Sequence, residues 1–139
     1  MYIAVVEDDA DQSEMLSIWL EAAGHIPSVF GTGEQLLDNT NIDEFDVLIL
    51  DWDLPGIDGI ELLRIIREEK NLNTTVLFAT RHDSKSDVVT VLEAGADDYM
   101  VKPVDRRELM ARLNTLKRRN AIAEPEPTYL VKAGNFILD

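Results

Sequence analysis

Five times along this chain a short apolar run gives way to a longer stretch with helical spacing, and that alternation leaves few folds open. Tyr2 to Val6 is apolar and β-branched, closed by Glu7-Asp8-Asp9, and reads as a buried strand. From Gln12 to Ala23, Met15, Ile18, Trp19 and Ala22 recur at steps of three and four, and Gly24 stands where a left-handed residue ends a helix. Ile26 to Phe30 is a weaker strand, and Thr32 with Gln35 has capping-box spacing for a short helix through Leu37. Asp46 to Leu50 is the most apolar run and reads as the central strand. Ile60 to Lys70 repeats the helix pattern through Leu63, Ile66 and Arg67, and Val76 to Ala79 makes a fourth strand. Val88, Val91 and Leu92 mark a helix ending at Gly95, Tyr99 to Val101 a fifth strand, and Asp105 with Glu108 opens a last helix carrying Leu109, Leu113 and Leu116. Strand-then-helix repeats fold most readily as an α/β parallel sheet covered on both faces, because each crossover holds a helix and runs right-handed.

With 139 residues the chain fits one ordinary domain and a remainder. The composition changes after Asn120. Residues 121–128 contain Glu-Pro-Glu-Pro, which cannot continue a helix and predicts an extended linker, so the main domain is expected over residues 1–120. Residues 129–139 alternate weakly, like one strand or a hairpin around Gly134-Asn135. Thirteen Lys and Arg against 27 Asp and Glu give a formal charge of −14, which disfavours direct contact with nucleic-acid phosphates or anionic lipid. No apolar run approaches the roughly 18 residues a spanning helix needs, and no signal-peptide pattern opens the sequence. A soluble, cytoplasmic protein with no membrane partner is the expectation. Cysteine is absent, so any chemistry comes from oxygen and nitrogen groups.

In an open parallel sheet the ligand crevice lies beyond the carboxyl ends of the strands. The first strand ends at Glu7-Asp8-Asp9, the third at Asp51-Trp52-Asp53, the fourth at Thr80 and the fifth at Lys102-Pro103. Two carboxylates about 4 Å apart repel by roughly 4 kcal/mol at an effective dielectric near 20, so a group of them calls for a cation or for raised pKa values. With oxygen donors alone, hard Mg²⁺ fits best and keeps waters that a phosphate oxygen can replace. Lys102 can hold the same oxygens from another side, and a carboxylate between two cations is suited to attack phosphorus. Asp51, ending the central strand, is the candidate nucleophile. Each residue also has a plainer reading: Asp8 or Asp9 as a cap of the first helix, Lys102 as a solvated lysine, Thr80 as a strand-end hydroxyl. Their coincidence at four strand ends favours a phosphoryl site.

These motifs resemble the receiver domain of bacterial response regulators, most closely the OmpR/PhoB type. The matching segments are Val5 to Asp9, Leu50 to Gly59, Thr80, Gly95 to Tyr99 and Val101 to Pro103, within a match from about Tyr2 to Arg119. The resemblance implies a flavodoxin-like, doubly wound (βα)5 fold with strand order 2-1-3-4-5. It implies Mg²⁺, or Mn²⁺ in its place, held by Glu7, Asp8, Asp51 and the main-chain carbonyl of Asp53. It further implies Asp51 as phosphoacceptor from a cognate histidine kinase, Thr80 and Lys102 as phosphoryl-binding groups, Pro103 as a cis proline and Tyr99 as a switch aromatic. On phosphorylation Thr80 moves inward and Tyr99 fills the vacated space. The fourth helix, fifth strand and fifth helix then pair two chains, offering Glu93, Asp97, Asp98 and Glu108 against Arg112 and Arg119, whose plainer reading is ordinary surface charge. Residues 129–139 resemble the first strand or two of a winged-helix DNA-binding domain. The implied parent is a transcriptional regulator, cut short here, that meets DNA only through that missing domain.

Three positions depart from the family pattern. Arg81 follows Thr80 where a small residue is usual, and either crowds phosphodonor access or contacts the phosphoryl group. Asp53 and His82 occupy two variable positions flanking the site, which predicts an altered phosphoryl lifetime. Val104 replaces a frequent Phe. Two other kinds of function compete with this reading. A small Mg-dependent phosphatase of haloacid-dehalogenase type is imitated by Asp51-x-Asp53, but Pro55 and the order of the acidic motifs do not fit. A phosphorylation-independent receiver-like interaction module would have lost an acid, the Thr or the Lys, and none is lost. Gly31-Thr32-Gly33 lacks the spacing of a nucleotide loop and reads as a turn.

Overall fold

The computed structural model describes residues 1–39 and 41–123, apart from the side chains of 120–123. Residues 1–106 form one compact unit; those from Arg107 onward form a second, whose described part is helical. Five strands alternate with helices: β1 (Tyr2–Val6), α1 (Ala10–Ala22), β2 (Ile26–Phe30), α2 (Gly33–Leu37), β3 (Val47–Leu50), α3 (Gly59–Arg64), β4 (Thr75–Thr80), α4 (Lys85–Glu93), β5 (Asp98–Val101) and α5 (Arg106–Ala123). All strand pairs are parallel, and the order is β2-β1-β3-β4-β5. The order reverses between β1 and β3, so a crevice opens there at the carboxyl edge.

β3 is buried along its whole length, as a central parallel strand must be. Alternate strand residues Ala4, Val6, Leu48, Leu50, Val76, Phe78 and Tyr99 turn to one face, where Leu36 of α2, Ile60, Leu62 and Leu63 of α3, and Val91 of α4 complete a single apolar cluster. Residues between them, Ile3, Val5, Val47, Ile49 and Leu77, are buried as well. α1 lies against β1 and β2 through a stripe different from the one its sequence suggests. Ser13, Leu16 and Leu20 are buried, whereas Ile18 is exposed and Met15 and Trp19 are only half-buried. Both stripes have helical spacing, and only the sheet's position selects between them.

Side-chain oxygens stop the helices where the sequence provides them. Asp9 caps α1, Thr32 caps α2, Asp58 caps α3 and Ser84 caps α4, each accepting from backbone N–H groups of the first turn. Gly24, with φ +89°, terminates α1 as its spacing predicts. The helix expected over Ile60 to Lys70 is not uniform, since after Arg64 it widens into a π turn over Ile65–Glu69. That widening aims Arg67 inward: its guanidinium donates to the carbonyls of Leu72 and Gly95 and to Asp97 Oδ2, which also accepts from Val76 N. α5 runs through Ala123, so the helix extends past the expected domain end at residue 120, with Leu109, Leu113 and Leu116 buried. The rest of the expected linker and the tail at 129–139 lie outside the described residues. Among the described residues no helix is long and apolar enough to cross a membrane.

Candidate functional site

Parallel strands end together, so the register decides what shares the carboxyl edge. Val6 pairs with Leu50, Leu50 with Phe78 and Thr80 with Val101, which brings Glu7, Asp51, Thr80 and Lys102 to one rim of the sheet. There a cavity of about 500 Å³ is lined by Glu7, Asp8, Asp9, Gln12, Asp51, Asp53, Arg81, Lys102 and Pro103.

Lys102 is the organising group. Its Nζ donates to Glu7 Oε1 at 2.5 Å and to Asp51 Oδ2 at 2.8 Å, and all three side chains are nearly buried. Burial would lower the lysine's pKa, but the hydrogen bonds and charges of Asp51 and Glu7 outweigh it and hold the ammonium above its ordinary range. Glu7 is pushed up by desolvation, only partly offset by Lys102 and the Asp9 N–H. The Lys102–Pro103 peptide bond is cis.

The two acids after Glu7 divide their work. Asp9 Oδ1 accepts from the N–H groups of Asp11 and Gln12 and caps α1, while Asp8 is exposed on the cavity wall. The capping reading of this pair thus falls to Asp9. Asp51 Oδ1 accepts from Asp53 N at 3.3 Å, and the loop that carries it is shaped by a glycine. Gly59 N donates to the Trp52 carbonyl at 2.9 Å, and a Cβ on Gly59 would stand 2.1 Å from the Asp51 carbonyl oxygen. Only a residue without a side chain lets α3 begin so close to the end of β3.

The cavity supplies carboxylate and carbonyl oxygens and no sulfur or imidazole donor, which is the donor set of a hard cation. Among the described residues no three His, Cys, Asp or Glu side chains are gathered into a ready-made metal cluster. Mg²⁺ does not need one, because it keeps several waters and is held by one or two carboxylates. The residues present fit such an ion.

Thr80 is wholly buried and its Oγ1 has no hydrogen-bond partner. Thr80 is not among the residues that line the cavity, which its neighbour Arg81 does line. Tyr99 already lies inside, 8% exposed, with its ring stacked against Phe78 at 6.4 Å and its hydroxyl donating to the His82 carbonyl. Desolvation first, then the surrounding aspartates, push its phenol up to about 12.

His82 bridges two elements. Its Nε2 lies 2.9 Å from Asp53 Oδ1 and its Nδ1 3.3 Å from Asp87 Oδ2, while the ring stacks on Trp52 with centroids 4.3 Å apart. The Asp53 hydrogen bond above all, with Asp87 behind it, raises its pKa despite some desolvation. Gln12 and Asp87 carry no motif, and Trp52 lies in the Asp51-Trp52-Asp53 motif without a role that its sequence position indicates. Of the residues expected on a pairing face, Asp97 is engaged by Arg67 and Val76 N, and Glu108 pairs with Arg112 at 2.9 Å within α5.

A family model described as the response regulator receiver domain matches residues 3–114. The DNA-binding response regulator MtrA of Mycolicibacterium smegmatis is 38% identical over 137 residues, 99% of this chain and 58% of that protein. The chain therefore spans less than two thirds of the length of this relative. The receiver domain of a Francisella response regulator superposes with a TM-score of 0.78 at 33% identity, covering 86% of this chain and 98% of that one. Response regulator DrrB of Thermotoga maritima, an OmpR/PhoB homologue, gives 0.76 at 35% identity over 86% of this chain and 53% of its own.

Proposed function

The chain belongs to the response regulator receiver family of two-component systems, and from that premise we propose that it is a phosphorylation-dependent switch whose acceptor is Asp51. Family membership makes the chain regulatory in kind, and the phosphatase alternative is set aside. The observation that carries the proposal is the Lys102 ammonium, held between Glu7 and Asp51 at 2.5 and 2.8 Å in a cavity large enough for a phosphoryl group.

A histidine kinase is the proposed donor. An Asp51 carboxylate oxygen forms the new P–O bond while the P–N bond to the kinase imidazole breaks and leaves its electron pair on nitrogen. Glu7, Asp8, Asp51 and the Asp53 carbonyl would hold Mg²⁺, which when bound supplies positive charge against the phosphoryl oxygens. Lys102 neutralises the same oxygens from the β5 side, and the unpartnered Thr80 hydroxyl donates to one of them. Modification replaces the single charge of the Asp51 carboxylate by a phosphoryl group bearing about two, a net gain of about one in a pocket already rich in carboxylates, so it favours whichever state brings Thr80 and Lys102 closest. Tyr99, bonded to the carbonyl of His82, transmits that choice to the β4–α4 connection. Asp53, on the cavity wall, and His82, joined to it by a 2.9 Å hydrogen bond, set the lifetime by restricting the attacking water.

Phosphorylated chains pair through the region from α4 to α5, with Glu93, Asp98, Glu108, Arg112 and Arg119 selecting the partner; Asp97 serves the interior instead. In the whole protein this pairing is proposed to control transcription, as in DNA-binding response regulators such as MtrA. Intact mass after treatment with acetyl phosphate, with and without Mg²⁺, tests the acceptor. One phosphoryl group per chain is expected with Mg²⁺, none for Asp51→Asn, and sedimentation shifts to a dimer with beryllofluoride. Uptake by the Asp51→Asn chain equal to that of the unaltered protein would sink the proposal.

A further inference from the structure

We propose that Arg81 is a second cationic ligand of the phosphoryl group and selects dianionic acyl phosphates as donors. The inference rests on the phosphoacceptor reading of Asp51 given above. Arg81 immediately follows Thr80 at the end of β4 and lines the same cavity as Asp51 and Lys102. Five carboxylate side chains share that lining with it, those of Glu7, Asp8, Asp9, Asp51 and Asp53, yet its guanidinium hydrogen-bonds and ion-pairs with none of them. Arg64, Arg67 and Arg112, by contrast, each reach a carboxylate. A cation that stays unpaired beside so many anions keeps its donors for something that is absent.

Lys102 cannot meet that demand alone, because Glu7 and Asp51 already take two of its donors. A guanidinium offers a planar fork that matches two phosphoryl oxygens at once. Its exposed place at the mouth lets it meet the donor before transfer, so part of its effect is steering and is weakened by salt. Crowding, the other reading of a large residue here, is disfavoured by the cavity, which remains about 500 Å³ with the arginine in its wall. During transfer from acetyl phosphate the P–O bond to acetate breaks, acetate leaves with the electron pair, and an Asp51 oxygen forms the new bond. The three non-bridging oxygens keep their charge throughout, held by Lys102 on one side and Arg81 on the other.

The test measures phosphorylation rates of the full chain by intact mass, using acetyl phosphate and phosphoramidate, a donor that carries a positive nitrogen. For Arg81→Ala the acetyl phosphate rate should fall roughly tenfold and lose most of its salt dependence, with a clearly smaller fall for phosphoramidate. Arg81→Lys, which keeps the charge without the fork, should restore part of the rate. An Arg81→Ala chain as fast as the parent, or faster, with both donors overturns the inference and leaves the Asp51 reading standing. If the parent chain takes up phosphoryl from neither donor with Mg²⁺ present, the premise itself fails.

Discussion

Three nearly buried charges meet at Lys102, and their balance depends on which one is removed. Taking away one partner of a buried, hydrogen-bonded pair leaves the other uncompensated, which costs about 3 kcal/mol. Lys102→Met should therefore unfold at markedly lower urea concentration at pH 7.5 without added metal. Because the folded lysine titrates above its ordinary 10.5, its stabilisation is complete at neutral pH and disappears only as pH rises past that raised value. Glu7 shifts in the same sense but over a lower pH range. With its pKa raised above 4.5, ionising it removes stability as pH climbs, so the deficit of Lys102→Met should shrink on going to pH 5. Tyr99 gives a second handle. Its hydroxyl bond to the His82 carbonyl contributes about 1 kcal/mol, which Tyr99→Phe should lose at neutral pH. Since the folded phenol titrates near 12 instead of 10.0, this advantage is present below pH 10 and lost as pH passes through 12. Chemical denaturation of both proteins from pH 8 to 12 should show the gap closing.

Elements meet most tightly where the β3–α3 connection turns back. Gly59 sits so near the Asp51 carbonyl that an added methyl cannot be accommodated without moving the backbone. Gly59→Ala should cost about 2–3 kcal/mol, in the range of overpacked cores, and should also slow phosphorylation because the same carbonyl belongs to the proposed acceptor. A variant with parental urea midpoint and parental rate would show that α3 is free to shift. The connection is also tied from the other side, where Glu34 of α2 accepts from Ile57 N and Gly56 takes φ +74°. Such ties make the acceptor loop a rigid support for its carboxylate. The π turn after α3 belongs to this scale too. It redirects Arg67 toward Gly95 and Asp97 and so connects the end of α3 to the residues that lead into β5.

For the molecule as a whole, the formal charge of −14 is concentrated in part around one cavity, where five acidic side chains face two cations. A divalent ion bound only by the folded chain stabilises it by mass action, about 2.7 kcal/mol at one hundred times its dissociation constant. Titrating Mg²⁺ during thermal unfolding should raise the midpoint in a saturable way, whereas Na⁺ at equal ionic strength should not. Asp8→Ala combined with Asp51→Asn should abolish the saturable part. If the double variant shifted as much as the parent, the ion would be acting elsewhere on the acidic surface.

Much of this architecture was legible in the chain itself. Strand-helix alternation specifies a parallel sheet because each strand must be buried on both faces and each crossover must hold a helix, and local caps such as Thr32 and Gly24 act through bonds to their own neighbours. Acids, hydroxyl and lysine at strand ends were equally visible, since strand ends are sequence positions. Tertiary structure alone decided the remainder: that Asp9 caps while Asp8 faces the cavity, that α1 buries Leu16 and not Ile18, and that Arg67 turns inward. It also decided that the Tyr99 hydroxyl meets the His82 carbonyl and that Arg81 stands without a partner among the carboxylates around it. Those outcomes depend on which of several equally acceptable local arrangements finds space and a charge to answer it. Only residues far apart in the chain can provide that.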